Sequence, residues 1–434
     1  MMSESIAIVW HRRDLRLKDN AAAYHALKNH ERVLPIFIFD KNILDQLPEK
    51  ADRRVTFIHR EISRIKKELE EMDSSLKIFY SSPEKAFEQL LNSYNIEAVY
   101  TNRDYEPYAR QRDSEIEKLL KEKGIAFHSF KDQCIFEKDE VLKKDGGWYS
   151  VFTPYSRVWK DLLQDSDLKP YPNEKYFGHY LKSKVLPEIS LEEMGFEEKS
   201  DHIPDADLPK KIIENYHNTR DLPAEQGTTR MSVHLRFGIV SIRQLAKKGL
   251  ELNEKWLNEL IWRDFYMMIL WYNPHVVKSA FRPKYDAIPW RNNEKEFEAW
   301  QKGETGYPLV DAGMRELNET GFMHNRVRMV TASFLCKHLL IDWRWGEQYF
   351  ADKLLDFELS SNNGGWQWAA GTGCDAAPYF RVFNPSSQAK KFDPQSKYIK
   401  KWVPEIWEGD YVSPIVEHKM ARARALKTYK SVLG

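Results

Sequence analysis

The residues with the clearest chemical potential lie at positions 361–380, where the sequence reads SNNGGWQWAAGTGCDAAPYF. Two indoles, Trp366 and Trp368, follow paired asparagines and paired glycines. Glycine permits a close backbone approach to a flat ligand or a positive φ angle, and asparagine adds compact donors and acceptors. The segment contains neither a nucleophile–base pair nor a metal-site pattern. It therefore favours stacking and electron transfer over hydrolysis, with a tryptophan-containing loop in a helical core as the plain alternative.

A second segment, WLNELIWRDFY at 256–266, places an acid, two rings and an arginine on one face. Glu259, Trp262, Arg263 and Tyr266 follow i, i+3, i+4 and i+7 spacing on a helix. Tryptophan and arginine are the residues that stack on bases and hold phosphates. An amphipathic helix with an i, i+4 ion pair is the alternative interpretation.

Two shorter patterns also suit anionic ligands. In GTTRMS, at 227–232, backbone amides, hydroxyls and a guanidinium together fit a phosphate, although such clusters also cap helices. In GFMHNRVRMVTASF, Arg326 and Arg328 lie close to Asn325 and one turn from Met329. Paired arginines beside an amide suit a phosphate backbone with a base edge nearby, and a solvated basic face is the alternative.

Tryptophans are concentrated in the C-terminal half, where 11 of the 14 lie. Indoles in van der Waals contact can relay an electron hole, and Trp290, Trp343 and Trp366 are candidates. Core packing is the default explanation for tryptophans this far apart in sequence.

Composition restricts the class of protein. A length of 434 residues predicts two or three domains, and a formal charge of +1 gives no overall attraction to nucleic acid or membrane. Three widely spaced cysteines argue against a disulfide framework or zinc site. The longest apolar run is too short to span a bilayer. We therefore expect a soluble cytoplasmic protein with no metal.

Residues 1–130 alternate strand and helix patterns, which predicts an α/β domain with a doubly wound parallel sheet. The opening strand lacks the GxGxxG pattern of nicotinamide enzymes. The predicted strands are 6–10, 33–39, 76–80, 97–101 and 125–130.

Residues 131–201 lose this periodicity and predict a connector. Residues 202–434 predict an all-α domain. Its predicted helices are 208–216, 241–248, 255–271, 293–301, 308–320, 325–341 and 346–355.

Taken together, six segments resemble the photolyase/cryptochrome family, most closely its class I cyclobutane pyrimidine dimer photolyases. They run in family order over nearly the whole chain: WHRRDLRLKDN, GTTRMS, WLNELIWRDFY, GYPLVDAGMRELNETGFMHNRVRMVTASFLCKHLLIDWR, SNNGGWQWAAGTGCDAAPYFRVFNPSSQAKKFDP and PIVEHKMARA. The resemblance implies an antenna-binding α/β domain and an all-α domain that holds FAD. Light-excited, fully reduced FAD would pass an electron to a dimer flipped out of UV-damaged DNA.

The resemblance also implies roles for single residues. Glu259 and Asn325 would hydrogen-bond the dimer and stabilise developing charge, with Glu259 protonated in a poorly solvated pocket. Asn362 would lie against the flavin N5 atom. Trp366, Trp343 and Trp290 would carry electrons to oxidised flavin. The residues implied to bind FAD are Tyr216, Thr228, Thr229, Arg230, Met231, Ser232, Trp256, Asp356, Phe357, Glu358 and Asn362. Those implied to contact DNA are Arg220, Glu259, Trp262, Arg263, Tyr266, Asn325, Arg326, Met329, Trp368 and Gln388.

Glu106 matches the acid that holds a folate antenna in such proteins, and Lys278 would assist it. This favours methenyltetrahydrofolate over a deazaflavin as the antenna. Phe322 replaces a tryptophan common in the family, and Trp345 is an extra indole that could form a side branch of the relay. We expect a monomer.

A cryptochrome that signals without repair is the leading alternative. Cryptochromes usually carry a long C-terminal extension, and plant members resemble this motif with Asp where Asn362 stands. A (6-4) photolyase would have a histidine pair where Asn325 and Met329 stand. A DASH-type protein usually lacks one of the two stacking tryptophans, Trp262 and Trp368, both present here.

Overall fold

The computed structural model describes residues 5–199 and 203–433. The chain forms two compact units. The first contains residues up to Glu137 with Leu163–Ala206 and Met231–Lys248, and the second contains Lys138–Leu162, Asp207–Arg230 and the chain from Gly249 onward. The predicted connector, residues 131–201, is divided between the two units, and its predicted end at Asp201 lies outside the described residues.

Strands and helices alternate through the first 130 residues. In chain order they are β1 (Ile6–His11), α1 (Ala21–Asn29), β2 (Val33–Asp40), α2 (Lys41–Leu44), α3 (Arg53–Glu70), β3 (Lys77–Ser81), α4 (Pro83–Ser93), β4 (Ile96–Asn102), α5 (Pro107–Glu122) and β5 (Ala126–Phe130).

Helices account for the described elements that follow. They are α6 (Phe152–Leu162), α7 (Lys210–Glu214), α8 (Tyr216–Thr219), α9 (Ser232–Arg236), α10 (Ile242–Leu252), α11 (Glu254–Tyr272), α12 (Glu294–Lys302), α13 (Pro308–Thr320), α14 (Asn325–Ser333), α15 (Trp343–Lys353), α16 (Leu359–Ala370), α17 (Pro385–Phe392), α18 (Lys397–Trp402) and α19 (His418–Leu433). Short 3₁₀ turns cover Asp165–Leu168, Asn173–His179, Pro274–Val277, Pro283–Ala287 and Pro404–Trp407, and a π-helix covers Phe334–Leu339. Within the described ranges, none of these helices is long and apolar enough to cross a membrane.

The first unit is built on one parallel sheet, which confirms the predicted fold class. Its strand order is β3-β2-β1-β4-β5, and Val9 of the central strand lies between Pro35 and Tyr100. Every residue of β1 and β2 is buried. Continuous apolar strands, rather than alternating ones, are what a parallel sheet with both faces covered requires.

The second unit is helical, and two predicted helices there are divided in the structure. The prediction 208–216 becomes α7 and α8, and the prediction 325–341 becomes α14 followed by the π-helix, whose C-cap Leu340 has a φ angle of 51°. Inside that wider turn the buried Lys337 donates to the Tyr379 carbonyl oxygen at 3.2 Å and lies 4.0 Å from the Tyr429 ring centre. These are tertiary contacts, which a 3.6-residue period does not encode.

The tryptophan-rich segment at 361–380 begins as a helix rather than a loop. Residues up to Ala370 belong to α16, and neither Gly364 nor Gly365 has a positive φ angle. A Cβ atom on Gly364 would instead collide with the Tyr266 ring of α11. The first glycine of the pair therefore allows two helices to pack closely.

Candidate functional site

A cavity of about 380 Å³ in the second unit brings together many of the predicted site residues. Helices α11, α14 and α16 form most of its wall, with the segment between α15 and α16. The lining consists of Arg220, Glu259, Trp262, Arg263, Tyr266, Asn325, Arg328, Met329, Ala332, Phe350, Leu354, Asp356, Phe357, Glu358, Ser361, Asn362, Gly365, Trp366 and Trp368.

Helix α11 supplies the acid predicted to hydrogen-bond a substrate. Asn253 caps the helix by accepting from the amides of Lys255 and Trp256. One turn further on, Glu259 forms an ion pair with Arg220 and a hydrogen bond with the Tyr216 hydroxyl. Burial raises the pKa of Glu259, although Arg220 and the Tyr216 hydrogen bond act in the opposite direction. The raised pKa agrees with the prediction that this carboxyl can hold a proton.

Two further arginines on the cavity wall are also paired with carboxylates. Arg263 Nη2 lies 2.9 Å from Glu358 Oε1, and Arg328 Nη2 lies 2.9 Å from Asp356 Oδ2. Both acids belong to the segment between α15 and α16, so these pairs fasten that segment to α11 and α14. Buried arginine–carboxylate pairs fix geometry because breaking one leaves an uncompensated charge.

Helix α14 presents an amide and a thioether to the cavity. Asn325 Nδ2 lies 4.0 Å from Met329 Sδ, one turn along the helix, and His324 caps the helix by accepting from the Arg326 amide. Arg326 does not line the cavity. Its Nη2 atom pairs with Asp221 at 2.7 Å.

Helix α16 lines the cavity with two tryptophans and with smaller residues, of which Asn362 is held in place by a neighbour. Asn362 Nδ2 donates to Glu347 Oε1 at 2.9 Å and to the Glu347 carbonyl oxygen at 3.0 Å. This double contact fixes the amide so that its oxygen remains available. Burial raises the pKa of Glu347 to about 7. Gly365 borders the cavity, and a Cβ atom there would meet open space.

The tryptophans predicted to relay electrons lie around one core. Trp366 and Trp343 are both buried in it, and Trp290 packs against it. The Trp366 ring is 6.0 Å from that of Trp300, edge to face. Trp345 also packs against this core, and its ring meets Phe297 at 5.2 Å. The order of electron transfer stays a prediction.

Several predicted FAD- and DNA-contacting residues lie outside the cavity lining. Trp256 Nε1 donates to Thr229 Oγ1 at 3.3 Å, and the Arg230 guanidinium lies 4.4 Å from the Phe322 ring centre. The other residues in this group are Tyr216 on α8, Thr228, and Gln388 on α17, while Met231 and Ser232 belong to the first unit.

The two predicted antenna residues belong to different units. In the first unit, Glu106 Oε1 accepts from Arg13 at 3.0 Å and from Arg236 at 3.1 Å. In the second unit, Lys278 is exposed, and its carbonyl oxygen accepts from Arg344 at 2.9 Å. Two guanidiniums holding one carboxylate form a defined polar site, whose ligand stays a prediction.

Sequence reasoning missed other residues of the site. Arg328 is predicted only as one of a pair of phosphate-binding arginines and is absent from the residues implied to contact DNA, although it is the one of the two that lines the cavity. Its position one turn after Asn325 on α14 could have indicated this. Glu347 and Phe350 carry no such signal, because they reach Asn362 and the cavity through packing of α15 on α16.

Comparisons with known proteins identify the family to which the chain belongs. A family model described as DNA photolyase matches residues 7–174, and one described as the FAD binding domain of DNA photolyase matches residues 256–410. A deoxyribodipyrimidine photo-lyase of Vibrio cholerae is 36% identical, over 98% of this chain and 100% of its own length. A class III photolyase from Agrobacterium tumefaciens is 32% identical with a TM-score of 0.88, covering 100% of this chain and 98% of that one. An archaeal photolyase from Sulfolobus tokodaii, solved with two FAD molecules, is 36% identical with a TM-score of 0.83, covering 98% of this chain and 100% of that one.

Proposed function

The chain belongs to the photolyase/cryptochrome family and is a flavoprotein lyase, and on that premise we propose that it repairs cyclobutane pyrimidine dimers in UV-damaged DNA using light and FAD. The observation that carries this proposal is the second-unit cavity, where Glu259, Asn325, Trp262 and Trp368 face one space. A carboxyl with a raised pKa, an amide and two rings are the groups that bind a pair of damaged bases.

The residues of the cavity fit a flat cofactor with polar edges. Gly365 leaves open space beside α16, and Asn362 is held by Glu347 with its amide oxygen free to accept a hydrogen bond. Asp356 and Glu358, which also line the cavity, are fixed by arginines. Bound FAD supplies the light-excited electron. Asn362 would orient the ring at N5, while Asp356 and Glu358 would meet its polar edge.

The remaining side chains would act on the dimer itself. Trp262 and Trp368 would stack against its two base planes, which replaces the stacking lost on leaving the duplex. Glu259, when protonated, would donate to a carbonyl oxygen of the dimer, and Asn325 would donate from Nδ2. Donors placed before the reaction stabilise the negative charge that the dimer acquires, because they need no reorganisation.

The proposal is tested with purified protein containing reduced FAD and an oligonucleotide carrying one thymine dimer. Illumination should restore the undamaged bases, whereas the same mixture in the dark should not change. An oligonucleotide with a (6-4) photoproduct is the matched control and should remain unrepaired. Repair of the thymine dimer in the dark, or repair of the (6-4) lesion alone, would contradict the proposal. Flavin photoreduction without any repair would instead support a signalling cryptochrome.

Glu259 gives a second test that separates charge from shape. Glu259→Gln keeps a donor and loses the ability to ionise, so we expect it to retain much of the repair activity at neutral pH. Glu259→Ala loses the donor and leaves Arg220 without this partner, so repair should fall by about 100- to 1,000-fold, as for the loss of one oriented donor. Wild-type activity in both variants would remove Glu259 from the mechanism.

We further propose that Glu106 binds the polar part of a folate antenna. Two arginines already hold its carboxylate, and a site with fixed charges orients a ligand at little entropic cost. Acid release of the chromophores and their absorption spectra test this proposal. The Sulfolobus tokodaii photolyase, with its two FAD molecules, makes a second flavin the specific alternative outcome. Glu106→Ala should lose the second chromophore and retain the FAD of the other unit.

A further inference from the structure

Trp262, which would stack on the dimer, has a ring partner of its own. The rings of Phe152 and Trp262 are 3.7 Å apart at their centres with 4° between their planes. Trp262 lines the cavity and Phe152 does not. Phe152 therefore covers one face of the indole, while another part of the Trp262 ring borders the cavity.

A third ring and the backbone hold this pair in place. The Phe265 ring packs edge-on against both members, at 5.9 Å from Phe152 and 5.6 Å from Trp262. The Phe152 amide donates to Asp375 Oδ2 at 3.1 Å. Phe152 is 9% exposed and Phe265 is fully buried. Neither ring of the stack can turn without disturbing a packed neighbour.

We propose that Phe152 is a positioning residue that holds the Trp262 indole parallel to the plane a flipped dimer would occupy. This rests on the proposed function, and it assigns the first residue of α6 to the binding of damaged bases. The physical basis is preorganisation. A ring already fixed in its bound orientation loses no rotamer freedom on binding, so more of the stacking energy appears as affinity.

The main test compares two substitutions, each of which removes a ring that stacks on a residue of α11. Phe152→Leu removes the ring under Trp262. Trp148→Leu removes a similar stack between the segment before α6 and α11, because Trp148 stacks on Tyr272 with centres 6.1 Å apart and 15° between planes. Trp148 does not line the cavity. We expect Phe152→Leu to raise the dissociation constant for a dimer-containing oligonucleotide by about 2- to 10-fold, as for loss of one aromatic pair. Trp148→Leu should leave that constant unchanged.

Two readouts separate positioning from a purely structural effect. At saturating oligonucleotide, the Phe152→Leu protein should repair dimers with the wild-type yield per absorbed photon, because bound substrate still meets the same groups. Phe152→Tyr, which restores a ring, should recover the affinity. Equal loss of affinity in Phe152→Leu and Trp148→Leu, in parallel with melting temperature, would overturn the inference.

A double-mutant cycle gives the decisive measurement. If Phe152 acts through Trp262, then Phe152→Leu should have no further effect on affinity in the Trp262→Ala background. Additive effects would show that Phe152 acts independently and would overturn the inference. If the leucine variant does not retain FAD, Phe152→Met keeps more volume and is measured in the same cycle. Wild-type protein that fails to prefer dimer-containing over undamaged DNA would refute the proposed function instead.

Discussion

Helices α11 and α16 pack against each other and both line the cavity, but they contribute different kinds of side chain. Helix α11 presents large charged and aromatic side chains, Glu259, Trp262 and Arg263, each fixed by a partner from another segment. Helix α16 contributes two tryptophans as well, yet Asn362 and Gly365 beside them leave space. The fixed groups of the α11 wall suit recognition of a substrate, whereas the open space of the α16 wall suits a flat cofactor. We therefore propose that the dimer lies next to Trp262 and the flavin next to Asn362.

The largest expected effect tests the α16 wall. Trp366 lines the cavity and belongs to the buried core that also holds Trp343. Phenylalanine is much harder to oxidise than tryptophan, so Trp366→Phe should abolish photoreduction of oxidised flavin. Dimer affinity, and repair by chemically reduced protein, should remain. Trp300→Phe, which alters the ring edge-on to Trp366 at 6.0 Å, is the control and should retain photoreduction. Loss of repair in the reduced Trp366→Phe protein would contradict the division between the walls.

The complementary test concerns the α11 wall, where we expect substitution to weaken dimer binding and to leave photoreduction unchanged. Trp262→Ala should weaken dimer binding by about 5- to 100-fold, the range for loss of one stacking platform, and should leave photoreduction intact. Trp368→Ala should cost less, because its neighbouring ring, Phe383, is 6.4 Å away and tilted by 38°. A filter-binding or fluorescence titration with FAD-loaded protein measures both. If Trp368→Ala lost more dimer affinity than Trp262→Ala, then Trp368 rather than Trp262 would be the better fixed of the two rings.

The close contact between α11 and α16 gives a third prediction, a smaller effect that is measured as stability. Gly364→Ala places a methyl group against the Tyr266 ring, so the free energy of unfolding should fall by about 1 to 3 kcal/mol. Gly365→Ala is the neighbouring control. Its methyl group meets open space, and replacing a helical glycine should raise stability by up to about 1 kcal/mol. Denaturant titrations measure the free energy of unfolding of both variants. Equal changes would show that the Tyr266 ring leaves room for a methyl group at position 364.

The smallest effect concerns the carboxyl behind Asn362. Glu347 has a pKa raised from 4.5 to about 7, so the folded protein keeps a proton that the unfolded chain releases. The contribution of Glu347 to stability should therefore fall as pH rises from about 4.5 to about 7, by about 1 kcal/mol for this partly exposed group. Glu347→Gln removes that dependence and keeps an oxygen for Asn362. Melting temperatures of the two proteins should diverge across this pH range and then run parallel.

The exposed pair of Glu298 with Lys302 on α12 provides the control for that measurement. The pKa of Glu298 is lowered, so its contribution is constant above pH 4.5 and Glu298→Gln should follow wild type across the same range. Parallel curves for wild type and Glu347→Gln would contradict the raised pKa.

The sequence predicted the parallel sheet, the helical half and the family, and all three are confirmed. Continuous apolar runs and a 3.6-residue period record local burial, so they identify strands and helices well. They do not record which elements meet. Phe152 lies in a stretch that reads as a connector, yet its ring stacks on Trp262, over one hundred residues later. The hydrogen bond between Asn362 and Glu347 likewise depends on the packing of α15 on α16.

Each arginine that lines the cavity is paired with a carboxyl group: Arg220 with Glu259, Arg263 with Glu358 and Arg328 with Asp356. Such a lining offers little to an entering phosphate and much to an uncharged base. Counterion release along the strand would then come from lysines and arginines outside the mouth. Added salt should therefore weaken the hold on the DNA backbone while barely changing the preference for damaged over undamaged bases.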